Sequence, residues 1–387
     1  MIVVIADDFT GAAELGGIGL RYKLDVEINT EINTASNAGL LVIDADTRSV
    51  KEKQAVERIT DITAQVKQLQ PQLVYKKTDS VMRGYIAAEI NAQLDILQLR
   101  RALLVPANPA LGRTISNGRY GVHGVPVHQT SFAEDPEFPA ESDDVKEMLG
   151  VSKRTVHVKK STDTLPADGI IIGEVNNTDE VKAWTAHVDN NTLAAGGSGF
   201  FSALMEHLGL AGTTGIATPP IREVVFPRLF VCGSMFDKSI EKVKRIKEGG
   251  GPVSYMPDNI FTCTSYIDDE YDNWIKEITG LLDNYGNAVI AFDPESEIDM
   301  DTTAAALREK MALIVSLVFR EMNVKELYIE GGSTTAAVLR KLRLQTFFPA
   351  AEIGPGLIKM RVKENPALAV IVKPGSYDWP LEEWILE

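Results

Sequence analysis

The sequence has 387 residues, of which 44% are apolar and 24% charged, an ordinary globular composition whose length favours two domains. Lys and Arg number 39 against 54 Asp and Glu, and this formal net charge of −15 argues against nucleic acid or an anionic membrane as a partner. With two cysteines, five histidines in no metal-binding spacing and no apolar run of about 18 residues, we expect no disulfide framework, no zinc site and no membrane helix, and hence a cytoplasmic protein.

The first half of the chain alternates short apolar runs with segments of helical periodicity, which predicts βα units and a mostly parallel sheet. Apolar residues recur every three or four positions at Val56, Ile59, Ile62 and Val66, and every four at Ile86, Ile90 and Leu94. These two stripes predict amphipathic helices that cover the sheet. The predicted strands are Ile2–Ala6, Leu40–Asp44, Leu73–Lys77, Ala102–Pro106, Ile170–Glu174 and Thr192–Ala195.

Three prolines, Pro219, Pro220 and Pro227, interrupt the pattern and indicate a linker, which divides the chain into domains 1–220 and 221–387. A second α/β series follows. We therefore predict two α/β domains in tandem, each with a mostly parallel sheet flanked by helices, and an active site in the interdomain cleft. The predicted elements of this series are the strands Leu229–Cys232, Ala288–Asp293, Leu327–Glu330 and Ala367–Lys373 and the helices Lys238–Lys247, Thr302–Met322 and Thr334–Leu342.

The stretch VVIADDFTGAAE places two adjacent carboxylates, Asp7 and Asp8, at the end of the first strand and the start of a helix. Ligands of open α/β sheets bind at this edge, where a carboxylate can accept a hydrogen bond or a proton from a substrate hydroxyl. A purely structural role is also available, with one aspartate as helix N-cap and the other in solvent. The order D-D-x-T does not fit the D-x-D-x-T of haloacid-dehalogenase phosphatases.

The stretch YKKTDSVMRG follows another strand and combines cations, hydroxyls and a carboxylate ahead of a helix. Such a set suits a ligand that carries a carboxylate and hydroxyl groups. The same residues would also serve as an ordinary helix cap with surface cations. With Arg48 from the DTRS segment, the candidate substrate-binding residues are Asp7, Asp8, Arg48, Lys77, Thr78, Asp79, Ser80 and Arg83.

In the second domain, three strands run into glycine turns, in FVCGSMF, YIEGGSTTAAV and VIVKPGSYDW. Glycine permits close approach and φ > 0, and backbone N–H groups at a helix start favour an anion, so the set of three predicts a phosphate site. Each turn alone would be a common connector. The chain has neither a G-x-x-x-x-G-K-[ST] P-loop nor a G-x-G-x-x-G motif after a strand.

Five motifs in order, ADDFTGA, KTDSVMRG, PANPALGRT, GGSTTAAV and VKPGS, resemble the four-carbon acid sugar kinases. The resemblance implies an N-terminal domain that binds a four-carbon sugar acid such as threonate, erythronate or 3-oxo-tetronate, and a C-terminal domain that binds ATP. It also implies transfer of a phosphoryl group to the 4-hydroxyl. Matched by position, Asp8, Arg48 and Lys77 to Ser80 would bind substrate, and the nucleotide would contact Ser234, Gly331, Gly332, Ser333, Thr334 and Gly375.

Phosphoryl transfer needs in-line positioning, charge neutralisation and a group that accepts the hydroxyl proton. We expect Asp8 or Asp79 to be this base, Lys77, Arg48 and Arg83 to hold the carboxylate, and Mg²⁺ to bridge the phosphates, with no metal ligand assigned. A sugar-acid sensor without ATP, and a metal-dependent lyase or isomerase on the same acid, are the alternatives. The identity of the acid and the formation of a homodimer stay open.

Overall fold

The computed structural model forms two compact units, Met1–Gly215 and Ile216–Glu387, which we call unit 1 and unit 2. It describes residues 1–135, 137–210, 212, 225–233, 237–262, 268–296, 303–375, 377, 381 and 385. Within these ranges no helix is long and apolar enough to cross a membrane.

Unit 1 contains a sheet of eight parallel strands in the order β2-β3-β1-β4-β11-β5-β10-β9, and a small antiparallel sheet of β6, β7 and β8. Its strands are β1 (Ile2–Ala6), β2 (Val26–Asn29), β3 (Leu40–Asp44), β4 (Leu73–Lys77), β5 (Arg101–Val105), β6 (Arg113–Ser116), β7 (Arg119–Val122), β8 (Val125–Pro126), β9 (Val156–Lys159), β10 (Gly169–Gly173) and β11 (Thr192–Gly196). Its α-helices are α1 (Phe9–Arg21), α2 (Glu52–Gln68), α3 (Ile86–Leu97), α4 (Val145–Leu149), α5 (Thr178–Trp184) and α6 (Ser198–His207).

Helices cover both faces of the central strands of unit 1. On one face, Ile59 of α2 and Ala92 of α3 pack in one core cluster with Val3 and Ile5 of β1. Helix α1 contacts β1, β2 and β3, and ten of its thirteen residues are buried. Strands covered on both faces have no polar alternation, which is why β1 and β3 are entirely apolar up to their last residues.

Unit 2 has its own sheet in the order β13-β14-β12-β15-β18-β17-β16, parallel from β13 to β18 and antiparallel in the last two pairs. Its strands are β12 (Arg228–Cys232), β13 (Val253–Tyr255), β14 (Asn287–Ala291), β15 (Glu326–Glu330), β16 (Thr346–Gly354), β17 (Leu357–Val362) and β18 (Ala369–Lys373). Its helices are α7 (Asp237–Glu248), α8 (Asp258–Thr262), α9 (Asp268–Tyr285), α10 (Ala304–Glu321) and α11 (Gly332–Leu342).

The predicted fold class, two α/β domains in tandem with mostly parallel sheets, is confirmed. Predicted strands and helices end within two residues of the observed ends where the pattern was strongly apolar or periodic, as in β1, β4 and α11. We did not predict the antiparallel pair β16 and β17, the small antiparallel sheet of β6, β7 and β8, or the short strands β2, β9 and β13.

Candidate functional site

The candidate site of unit 1 lies where the strand order of its sheet reverses. From β1 the chain continues to β2 and β3 on one side, whereas β4 pairs with the other side of β1. Ligands of doubly wound sheets bind at the carboxyl ends of the strands at such a switch point. Ala6 pairs with Lys77, so Asp7 and Asp8 follow β1 at the level at which Thr78 and Asp79 follow β4.

Asp8 is the N-cap of α1 and is buried. Its Oδ1 accepts a hydrogen bond from the Gly11 N–H at 2.8 Å, and its Oδ2 accepts one from the Thr10 hydroxyl at 2.7 Å. The same Oδ2 forms an ion pair with the Arg48 guanidinium. Asp8 therefore has the helix N-cap role that the sequence offered as a structural alternative. The cap also holds its carboxylate at the carboxyl edge of the sheet, where ligands of such folds bind.

Arg48 lies among three aspartates. Besides Asp8, its Nη1 contacts Asp79 Oδ1 at 2.9 Å and its Nε lies 3.6 Å from Asp7 Oδ2. Gly84 has φ +95°, and a Cβ at that position would lie 3.1 Å from Arg48 Cγ, so the loop after β4 packs closely on the arginine stem. Arg48, an isolated cation in the sequence, thus joins the two motifs.

Asp79 accepts hydrogen bonds from five donors. Arg83 binds it in the bidentate manner, Nε to Oδ2 at 3.0 Å and Nη2 to Oδ1 at 2.8 Å, and the backbone N–H groups of Val81 and Arg83 also donate to Oδ2. Arg48 is the fifth donor. Arg83 further contacts Asp135 Oδ2 at 2.7 Å. Asp79 therefore orients two arginines and the loop between β4 and α3.

The three carboxyls differ in pKa because their partners differ. Burial raises the pKa of Asp7, whose two oxygens have no hydrogen-bond partner among the described residues. Burial acts in the same direction on Asp8 and Asp79, but it is outweighed: Arg48, Lys77, Thr10 and Gly11 lower the pKa of Asp8, and Arg83 and Arg48 lower the pKa of Asp79. Asp8 and Asp79 are ionised at neutral pH, whereas ionisation of Asp7 is costly.

Lys77 is a buried cation whose ammonium donates to the Thr78 carbonyl oxygen at 2.9 Å. Within the described ranges, no carboxylate oxygen lies within 4.0 Å of it, although its charge acts on both Asp8 and Asp79. The Thr78 hydroxyl is buried and finds no partner in the same part of the chain. These two side chains leave hydrogen-bonding capacity for a ligand.

Ser80 is held by two residues from the antiparallel sheet that the sequence-based set omitted. Arg113 donates to its hydroxyl and the Tyr120 hydroxyl donates to its carbonyl oxygen. The Phe132 ring lies 5.6 Å from the guanidinium carbons of both Arg83 and Arg113. All eight predicted substrate residues lie at or just after the ends of β1, β3 and β4. Ion pairs join five of them, Asp7, Asp8, Arg48, Asp79 and Arg83, and the other three, Lys77, Thr78 and Ser80, lie within two positions of Asp79 in the chain.

In unit 2, the strand order also reverses, with β14 on one side of β12 and β15 on the other. Cys232, Glu330 and Lys373, the last residues of β12, β15 and β18, are in register, and each is followed at once by a glycine or by Pro-Gly. The three predicted glycine turns therefore leave one edge of the sheet together. Ser234 lies outside the described residues.

The turn before α11 has the geometry that an anion site requires. Gly331 has φ +91° and is the N-cap of α11, and its N–H donates to the Lys373 carbonyl oxygen at 2.9 Å. Gly331, Gly332 and Ser333 are partly exposed, and the first N–H groups of a helix lack intrahelical partners. A Cβ on Gly233 would overlap the Thr334 side chain, so only glycine fits where the first turn packs on the second.

These turns fit the phosphates of a nucleotide, because backbone N–H groups and a helix N-terminus both favour an anion. Across the ranges that the structure covers, no group of three or more His, Cys, Asp or Glu side chains converges on a metal-binding position. Mg²⁺ in nucleotide enzymes is commonly held by one or two carboxylates and the phosphates themselves.

The chain is similar along its length to characterised kinases of sugar acids. It is 23% identical to D-threonate kinase of Salmonella typhimurium, covering 97% of this chain and 95% of that protein, and 23% identical to 3-oxo-tetronate kinase of Haemophilus influenzae, covering 97% of each. D-erythronate kinase of Heliobacterium modesticaldum is 31% identical over 159 residues, 40% of this chain and 36% of that protein.

Solved structures show the same fold over the whole chain. A Haemophilus influenzae protein superposes with a TM-score of 0.68 at 20% identity, covering 97% of both chains. A Salmonella typhimurium LT2 protein superposes with a TM-score of 0.74 at 16% identity, covering 97% of this chain and 96% of that one.

Two family models match in the order of the two units. Residues 2–204 match a sugar-binding N-terminal domain, and residues 229–377 match a nucleotide-binding C-terminal domain. Together with the relatives, these matches show that the chain belongs to the four-carbon acid sugar kinase family and is a phosphotransferase that acts on an alcohol group.

Proposed function

We propose that the protein is an ATP-dependent kinase that phosphorylates the 4-hydroxyl of a four-carbon sugar acid, namely threonate, erythronate or 3-oxo-tetronate. The names of the relatives support this set of acids, and the match of residues 229–377 to a nucleotide-binding domain supports ATP. We keep the domain boundary near residue 220 as part of the proposal, together with a cytoplasmic location and an active site shared by both domains.

Lys77 is the residue we assign to the substrate carboxylate. Its ammonium is buried and forms no ion pair with a carboxylate of the described residues, so a bound carboxylate would neutralise it in a site of low dielectric. Arg48 and Arg83 already bind Asp79 and contribute positive charge at the same edge. The Thr78 hydroxyl is available for a hydroxyl group of the acid.

Asp8 is the base we propose for the 4-hydroxyl proton. It has three donors where Asp79 has five, and the two arginines on Asp79 make that carboxylate the weaker proton acceptor of the two. The cap at Gly11 fixes the Asp8 carboxylate, so little reorganisation accompanies proton transfer. Asp79 then positions Arg48 and Arg83, and Asp7 lies beneath Arg48.

Unit 2 would hold the nucleotide through the turns that follow β15 and β18. The N–H groups of Gly332, Ser333 and Thr334 would bind the phosphates. Gly331, whose own N–H donates to the Lys373 carbonyl oxygen, shapes the turn, and Gly375 would contact the phosphates from the neighbouring strand. Mg²⁺, when bound with ATP, supplies charge neutralisation on the phosphates. Ser234 remains a proposed contact.

The observation that carries this proposal is the buried Lys77, without a carboxylate partner in the described ranges, beside the capped Asp8 at the switch point of a domain that matches a sugar-binding model. The test is ADP release from ATP and Mg²⁺ with a panel of four-carbon sugar acids. We expect ADP only with an acid present. Asp8→Asn should lower kcat by about 100-fold or more, a far larger effect than the loss of its ion pair with Arg48 has on folding stability. ADP release that does not depend on any acid, or full activity in Asp8→Asn, would contradict the assignment.

A further inference from the structure

A buried ion pair lies directly beneath the glycine turns of unit 2. Glu330 and Lys373 end β15 and β18 in register, and their side chains are 0% and 1% exposed. Lys373 Nζ lies 2.8 Å from Glu330 Oε1. Both side chains are enclosed and already bonded to protein atoms, and the residues that follow them form the proposed phosphate site.

The pair connects three elements around that site. Lys373 donates to the carbonyl oxygens of Gly375 at 3.3 Å and Tyr377 at 2.5 Å, which folds the segment after β18 back on its own strand. Glu330 accepts a second hydrogen bond from the Ser239 hydroxyl in α7. The Gly331 N–H donates to the Lys373 backbone, so the two turns are joined both through main chain and through side chains.

Stability alone does not account for a charge pair at this position. Removing two charges from water costs several kcal/mol per ion, and apolar residues of similar volume commonly serve a core as well or better. Glu330 Oε2 is buried and has no hydrogen-bond partner in the described part of the chain, which adds to the cost. The neighbouring core of β12, β14 and β15 is apolar, as Phe230, Val289 and Tyr328 show.

We propose that Glu330 and Lys373 are positioning residues for the nucleotide: they hold the turn 331–334 and the turn at Gly375 at the separation that the phosphates of ATP require. This inference rests on the proposed function of unit 2. It assigns a role to the Glu of YIEGGS and the Lys of VKPGS, which precede the predicted nucleotide contacts.

The Glu330→Gln variant should change nucleotide affinity in opposite directions, depending on whether the pair positions the turns or acts only through its charge. If the pair acted only through charge, removal of the Glu330 carboxylate would take away one negative charge near the phosphates and tighten the binding of ATP. If the pair holds the turns, the loss of the ion pair loosens Lys373 and the carbonyl oxygens of Gly375 and Tyr377, and nucleotide binding weakens.

The experiment is calorimetric titration of the full chain with Mg²⁺-ADP and Mg²⁺-ATP, with KM measured separately for ATP and for the sugar acid. We expect Glu330→Gln to raise both nucleotide Kd values and the KM for ATP by about tenfold or more, and to leave the KM for the acid within about twofold. Tighter or unchanged nucleotide binding would overturn the proposal.

Glu326→Gln is the matched control, because Glu326 begins the same strand and forms an ion pair of 2.6 Å with Lys359. Equal weakening in this control would assign the effect to general destabilisation and overturn the proposal. Should Glu330→Gln not fold, Ser239→Ala removes one donor to Glu330, and we expect it to raise the Kd for ADP by about threefold. A wild-type chain that binds no nucleotide would refute the proposed function instead.

Discussion

Three carboxylates surround the Arg48 guanidinium, but they contribute differently to stability and function. Asp79 accepts five hydrogen bonds, and Asp8 caps the N-terminus of α1 and forms an ion pair with Arg48. Asp7 is buried without a hydrogen-bond partner among the described residues. A buried carboxylate with depressed pKa stabilises the folded state, and one with raised pKa destabilises it at neutral pH. Adjacent residues of one site therefore have opposite effects on folding.

Asn substitutions should reveal this difference. At pH 7 we expect Asp7→Asn to raise the free energy of unfolding by about 1 kcal/mol, because it removes a charge that burial disfavours. Asp79→Asn should lower it by about 3 kcal/mol, because it breaks a buried pair with Arg83 and Arg48. Urea denaturation measures both, and the same sign for the two variants would contradict the assigned environments.

The pH dependence of the two variants should also differ. An unfolded aspartate titrates near pH 3.9, so Asp7, with a raised folded pKa, reduces stability as pH rises above about 4. Asp79, with a lowered folded pKa, contributes stability that is lost only as pH falls below about 4. As the pH falls from 7 to 4, the extra stability of Asp7→Asn over the wild type should therefore disappear, whereas the lower stability of Asp79→Asn should persist. Urea midpoints in which the Asp7→Asn difference persists and the Asp79→Asn difference disappears would contradict the assigned pKa shifts.

The candidate residues of the unit 1 site can be identified from local sequence patterns, but their contact partners cannot. Asp7, Asp8 and the residues Lys77 to Asp79 could be predicted because they follow apolar strands directly. The choice between a base and a positioning role for Asp79 depended on Arg48, which is 31 positions away. The other arginine on Asp79, Arg83, is also held by Asp135, which is 52 positions further along the chain. No local pattern encodes such contacts.

At the level of elements, both candidate sites lie at switch points of parallel sheets, and glycines allow the loops to pack there. The apolar runs of β1, β4, β12 and β15 were strong enough for their carboxyl ends to be predicted. The strands β16 and β17 were not predicted, because Pro349 and Gly354 in β16 suggest a loop. Their antiparallel pairing with each other and with β18 is a long-range contact that no local pattern shows.

The Gly84→Ala variant tests how the loop between β4 and α3 packs on Arg48. Gly84→Ala should cost about 1–2 kcal/mol of stability for its φ of +95° and should also displace Arg48, raising the KM for the acid by about tenfold. Gly124→Ala is the control, because Gly124 has φ +80° but a Cβ there would meet no described atom within 4 Å. We expect similar thermal destabilisation in both variants and a raised KM for the acid only in Gly84→Ala. If the two variants had the same KM for the acid, the packing of Gly84 on Arg48 would not matter for substrate binding.

At the level of the whole molecule, the net charge of −15 opposes the approach of two anionic substrates. The cations proposed to bind the acid are few, with Lys77 buried and Arg48 and Arg83 half-buried, so they act at short range, where salt screens little. Raising KCl from about 10 to 150 mM shortens the screening length from about 30 to 8 Å and mainly weakens the repulsion. We expect kcat/KM for the acid to stay constant or rise by up to about twofold; a tenfold fall would indicate a long-range basic surface.

The most direct test of the kinase assignment is ³¹P NMR of a reaction that contains ATP, Mg²⁺ and a four-carbon sugar acid. We expect a phosphomonoester resonance, coupled to the protons on carbon 4, to grow in equal amount with ADP, and Asp8→Asn to slow the growth of both by about 100-fold or more. ADP with inorganic phosphate as its only partner, or no consumption of ATP with any acid of the panel, would contradict the kinase assignment.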